Sequence, residues 1–302
     1  MRQKTVLIIS WLLGGFLLVG VGACSGDDDM KVRRLTITET EGNAIARQVT
    51  TRAILNENGG LSASWKAGDR LSYCNLSRMN AMNYGIYSGS LTASTTATIS
   101  QFTGYVTCNK GDYLAVVYPA TTFVTNDSYS ISLSGQDGTL GTLASTFHYV
   151  YGKAHVESVT DETASATMMK MKSLLTVCKF SFKDKTTNDD IPVSTLAISY
   201  GGSGSDQNTY PQSATVAISY LKEPSDVHAT GVAGSSPLIV NASGQTEVYV
   251  ALLPTSGQRT YNFTVTNPNG TYTGTAKATL AEGELVVATG LRLTKNESSS
   301  TK

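Results

Sequence analysis

Apolar and polar side chains alternate clearly along five stretches of the chain: Tyr113 to Tyr118, Thr176 to Phe182, Glu247 to Leu253, Tyr261 to Thr266 and Leu285 to Leu293. A period of two puts successive side chains on opposite faces of an extended strand, so each stretch predicts a β-strand with one face buried. Ser, Thr, Gly, Tyr and Val dominate, and long stretches with apolar residues at helical spacing are scarce, so the predicted class is all-β. Turn chemistry punctuates the strands at Asn58-Gly59-Gly60, Asp137-Gly138, Gly201-Gly202-Ser203-Gly204 and Asn267-Pro268-Asn269-Gly270. The last lies between two alternating runs and predicts a β-hairpin loop. Tyr118-Pro119 and Leu253-Pro254 each end an apolar strand with proline, which cannot continue a ladder.

The polar stretch from Glu157 to Ala166 reads as a joint, and Ser173 to Phe182 as the opening of a second core. With a boundary near Ala166, residues 53–166 and 167–302 form two units of ordinary domain size. Many short strands with Gly- and Ser-rich connections favour two tandem β-sandwich domains over a closed barrel. The pattern leaves strand order open.

The N-terminus follows different rules. Arg2 and Lys4 precede an apolar run from Val6 to Val21, followed by Gly22, Ala23 and Cys24. Residues 1–23 therefore read as a secretory signal peptide rather than a membrane span, since the run is shorter than the ~20 residues a span needs. The pattern resembles the bacterial lipoprotein box, with Cys24 as the lipidated residue and the first residue of the mature chain. Each buried methylene contributes about 0.8 kcal/mol, so two or three acyl chains would hold the protein on a membrane. Ser25-Gly26-Asp27-Asp28-Asp29 is a solvated acidic tether. It resembles the export tag of Bacteroides-type surface lipoproteins, which implies an outer-membrane lipid and a protein body facing outward. Residues 24–52 form the tether and a propeptide-like strand.

Composition narrows the function. Lys plus Arg and Asp plus Glu each total 23, so the net charge is zero and nothing favours nucleic acid as a partner. Cys74, Cys108 and Cys178 stand at unrelated spacings that match no zinc or redox motif and read as small buried side chains, though one pair has an oxidising compartment in which to bridge. His148, His155 and His228 are scattered, with no carboxylate at metal-ligand spacing. Gly201-Gly202-Ser203-Gly204-Ser205 lacks the final glycine of a nucleophile elbow, and Asp189-Asp190 reads as a solvated loop. No phosphate-binding loop leads into a helix. The sequence assigns no catalytic residue, no metal and no cofactor, and the chain reads as a non-enzyme.

Several landmarks in order resemble one family, the Bacteroides-type fimbrillins, surface lipoproteins that assemble into fimbriae. They are Thr51-Arg52-Ala53, the Trp65 to Leu71 segment, Phe102-Thr103-Gly104, Tyr113 to Pro119, Leu174 to Phe182, Val248 to Pro254 and Gly283-Glu284-Leu285. Read on their own chemistry, Trp65 and Leu71 are core residues flanking an Ala-Gly-Asp turn.

The resemblance implies polymerisation by donor-strand addition: an arginine-specific protease removes an N-terminal strand, and a neighbour's strand fills the groove. Lys31 to Thr38, with Leu35 and Ile37 alternating with Thr36 and Thr38, is the candidate removable strand. Arg47 and Arg52 are the candidate cleavage sites, Arg47 the better placed. Leu285, Val287, Leu291 and Leu293 are expected to share one face of a C-terminal segment that is either the donor strand or an ordinary edge strand. Partners would be other fimbrial subunits, the outer membrane through Cys24, and a host or bacterial surface ligand, with roles in adhesion or biofilm formation. The stalk, tip and anchor roles stay open. Two other classes compete: a non-polymerising lipoprotein binding glycan or host protein through aromatics such as those in Phe147 to Tyr151, and a surface hydrolase, for which no cleft residues assemble.

Overall fold

The computed structural model describes residues 31–40, 54–57, 61–78, 87–125, 127–169 and 171–296. The all-β class holds, and the strands fall into three principal sheets and a short hairpin.

The first sheet contains β1 (Val32–Thr40), β4 (Arg70–Asn75), β5 (Ser88–Ala93), β6 (Gln101–Thr107), β7 (Tyr113–Tyr118), β10 (Val150–Val159), β11 (Thr163–Met169) and β12 (Lys172–Ser173). The separate hairpin pairs β2 (Ile54–Glu57) with β3 (Leu61–Ser64). The first sheet runs β11-β1-β6-β5-β4-β7-β10-β12, and β10 also pairs with β11, Val156 opposite Ala166. That extra pairing closes the sheet into a barrel, which leaves no open edge along those strands. Leu35, Ile37, Trp65, Leu71, Leu91 and Phe102 are fully buried in its core. The first half of the chain is all-β as expected, and its sheet closes on itself because β1 pairs with both β6 and the distant β11.

The Glu157 to Ala166 stretch is the tip and flanks of the β10–β11 hairpin, and Ala166 lies within β11. It reads as a linker in sequence because its buried residues after Val156 are small, Ala164 and Ala166, while Glu157, Thr163 and Ser165 face solvent. Trp65 and Leu71 do flank a turn, at which Gly68 adopts φ +91 and Lys66 N–H donates to Asp69 Oδ2 at 2.7 Å.

The second sheet contains β13 (Thr176–Asp184), β14 (Thr195–Tyr200), β17 (Leu238–Val240), β18 (Val248–Leu252), β19 (Arg259–Asn267), β20 (Gly270–Ala278) and β21 (Leu285–Lys295). Its order is β17-β14-β19-β20-β21-β13-β18. The predicted hairpin loop is present: Asn267 pairs with Gly270, whose φ of +136 suits only glycine. The third sheet, β16-β15-β9-β8, combines β8 (Phe123–Thr125) and β9 (Ser128–Ser132) with β15 (Ser213–Ala217) and β16 (Ala229–Gly231).

Chain halves therefore mix. Tyr129 and Ile131 of β9 share one apolar cluster with Phe180, Phe263 and Val216, and that cluster also takes in Cys74, Ala115 and Tyr151 of the barrel strands. Gln136 stitches the contact from a buried position, with its amide donating to Ala251 O at 3.0 Å and accepting from Ala251 N–H at 2.7 Å. A side-chain amide here supplies the bonds that a further strand would make to the edge strand β18.

Candidate functional site

β1 is held on both sides. It runs antiparallel to β6, Leu35 opposite Gly104, and parallel to β11, Leu35 opposite Ala164. Leu35 and Ile37 are fully buried, while Arg34 and Thr38 face out. Arg33 is buried at the start of the strand, with Nη1 donating to Cys108 O at 2.6 Å and Nε to Thr160 O at 2.7 Å. Near its end Glu39, also buried, accepts the indole N–H of Trp65 at 3.0 Å. Loss of this strand would leave two unpaired ladder edges, β6 and β11, over an apolar floor that includes Phe102. Cys24, Arg47 and Arg52 lie outside the described residues.

At the other end of the chain, β21 runs parallel to β13 along most of its length but meets β20 at only two register pairs, Tyr272 with Lys295 and Thr273 with Thr294. Beyond that junction β20 and β21 part over an apolar cleft of about 260 Å³ lined by Phe180, Phe263, Ala276, Ala278, Val286 and Ala288. Leu285, Val287, Leu291 and Leu293 share no single face. Val287 is 55% exposed whereas Leu293 is buried, and the register against β13 shifts between Phe180 and Phe182. Gly290, at φ +67, provides the extra residue opposite that shift. Leu285, Val286, Ala288 and Leu291 pack against the core and Leu293 is buried in it, so Val287 alone of the predicted four points away.

Cys74, Cys108 and Cys178 are all buried free thiols. Burial pushes Cys74 and Cys108 up to about 11 and Cys178 higher still, so all three are protonated and unreactive near neutral pH. His148 is buried against the Ser173 hydroxyl at 2.9 Å, and His155 and His228 pair with Glu157 and Glu282 at 2.8 Å. Asp190 forms an ion pair with Lys183 in an exposed turn. Among the described residues no group of three His, Cys, Asp or Glu side chains could hold a metal ion.

The Phe147 to Tyr151 segment is core, with Phe147, Val150 and Tyr151 buried. Among the described residues the most exposed tyrosines are Tyr105, 71% exposed, and Tyr220, 46% exposed. Sequence reasoning missed both. Tyr105 sits in an alternating strand with its outward partners, and Tyr220 follows β15 in a polar connection whose only signal is the apolar pair Tyr220-Leu221.

No protein-family model matches the chain, and a search of curated proteins finds no match. Among solved structures, a candidate cell adhesion protein from Bacteroides uniformis aligns over 87% of this chain and 96% of its own, with a TM-score of 0.50 and 15% identity. The two share an all-β fold. A shaft pilin from Lactobacillus rhamnosus GG aligns over 88% of this chain and 99% of its own at a TM-score of 0.35 and 10% identity. A candidate cell adhesion protein from Bacteroides eggerthii aligns over 88% of this chain and 87% of its own at 0.37 and 11%.

Proposed function

We propose that this chain is a structural subunit of a cell-surface fimbrium, exported as a lipoprotein anchored through Cys24 and assembled by strand addition. The observation that supports it is β1: a single N-terminal strand, paired on both edges, burying Leu35 and Ile37, and followed within the next residues by Arg47 and Arg52. In this reading cleavage at Arg47 or Arg52 cuts β1 from the body of the chain, and the gap between β6 and β11 receives a strand from a second subunit. Ladder hydrogen bonds supply the affinity and alternate side chains the register.

β21 is the donor in this reading. Only two register pairs tie it to β20, so few ladder bonds on that edge are lost when it moves, and Val286, Ala288, Leu291 and Leu293 offer an apolar face. The fold shared with a candidate cell adhesion protein is consistent with a surface role. Treatment of the mature protein with an arginine-specific protease tests the proposal. The expected result is a ladder of SDS-resistant oligomers that an Arg47→Ala, Arg52→Ala double variant does not form. Cleaved protein that stays monomeric would refute it.

A further inference from the structure

A second site lies away from both strands. Residues of the barrel side, Leu76, Ser77 and Lys110 to Asp112, face Asp127 and the Ser219 to Leu221 loop across an open cleft of about 680 Å³. That volume falls within the ~300–1,000 Å³ of ordinary ligand pockets. We propose that this cleft binds a neutral saccharide.

Tyr220 is 46% exposed and Leu221 87% exposed, so the loop presents an apolar pair to the cleft. Neither dangles. The Lys153 ammonium, on a side chain only 6% exposed, donates to Tyr220 O at 2.9 Å and Lys222 O at 3.1 Å, and pairs with Glu223 at 2.9 Å. The same ammonium lies 4.8 Å from the centroid of the Tyr113 ring, against which the Tyr220 ring packs edge-on at 5.3 Å. A nearly buried lysine thus fixes the loop before any ligand arrives, which lowers the ordering cost of binding.

The facing wall is polar and of mixed sign. Asp112 is held by Asn75 Nδ2 at 2.8 Å, the Asn109 N–H at 2.9 Å and Arg78 at 3.5 Å. Lys110 makes no ion pair or side-chain hydrogen bond with a described residue. Asp127, Ser77 and Ser219 add a carboxylate and two hydroxyls.

A pyranose ring matches this arrangement. Its C–H face packs on Tyr220 and Leu221, and its hydroxyls, each both donor and acceptor, bond to carboxylate and ammonium alike. A sulfated or phosphorylated ligand would meet the two carboxylates. A wholly apolar ligand would strip water from Lys110 without replacing it.

Detergent-solubilised mature protein, titrated with neutral oligosaccharides of glucose, galactose, mannose and N-acetylglucosamine and with their sulfated or sialylated counterparts, tests the proposal by saturation-transfer NMR and calorimetry. At least one neutral oligosaccharide should bind. Tyr220→Ala and Asp127→Asn should each weaken it roughly tenfold or more, with the unfolding midpoint unchanged. Absence of neutral-saccharide binding, preference for the anionic set, or binding indifferent to both substitutions would overturn it.

Discussion

Trp65 donates its indole N–H to Glu39 Oε2 at 3.0 Å, and its ring meets Phe102 and Tyr118 edge-on at 4.9 and 5.3 Å. One buried tryptophan thus reads out the state of β1. The sequence contains only one other tryptophan, Trp11, within the predicted signal peptide, so Trp65 is the sole indole of a chain that begins at Cys24.

Cleavage that releases β1 should therefore shift Trp65 emission to longer wavelength, as the indole loses Glu39 and gains water. Refilling of the gap by a peptide or a second subunit should shift it back. Stopped-flow fluorescence during arginine-specific cleavage measures both steps; emission that never moves while β1 is lost would break the link between strand and core.

Within β1, Leu35→Ala and Ile37→Ala should each destabilise the uncleaved protein by about 2–5 kcal/mol, the usual cost of a large-to-small change at a fully buried site. Val287→Ala, at a 55% exposed position, should stay within about 0.5 kcal/mol of the parent. Urea unfolding midpoints compare the three. Equal losses would mean that β21 is packed in solution as the sequence face, not as the structure has it.

Gly274 and Leu293 close the sheet where β20 and β21 still touch. A Cβ on Gly274 would stand 2.6 Å from Leu293 Cδ2 and 3.1 Å from Arg292 O. Gly274→Val should therefore loosen β21, at a cost of about 1–3 kcal/mol for overpacking, and speed tryptic cleavage at Arg292. An unchanged cleavage rate would show that the junction yields without releasing the strand.

The buried thiols predict alkaline sensitivity. Cys74 and Cys108 are raised by burial from 9.0 to about 11, so the folded state keeps protons that the unfolded chain releases. Stability from this source is complete below about pH 9 and falls as pH rises from there toward 11. Urea midpoints between pH 8 and 10 should drop less in a Cys74→Val, Cys108→Val variant than in the parent. Parallel curves would assign the alkaline loss to other groups.

How much of this could be read in advance depends on range. The Asn267 to Gly270 turn, the Trp65 core position and the strands around Tyr113, Thr176 and Tyr261 follow from local chemistry, and each was legible. Closure of the first sheet was not, because the parallel β1–β11 ladder joins residues more than a hundred positions apart. The inward face of β21 was misread for a smaller reason. One extra residue at Gly290 breaks the period of two, so alternation counted back from Leu293 puts Val287 on the wrong side before the bulge. The Glu157 to Ala166 hairpin looked like a linker because alanines fill its buried positions. Tyr220 carries no local signal beyond its apolar neighbour Leu221: its placement depends on Lys153, far away in sequence.

The most direct test of the fimbrial reading is the N-terminal residue and assembly state of protein sheared from its native cells, by intact mass spectrometry and electron microscopy. Filaments whose subunits begin just after Arg47 or Arg52 are the predicted result. Lipidated monomers that begin at Cys24 and retain β1 would contradict it.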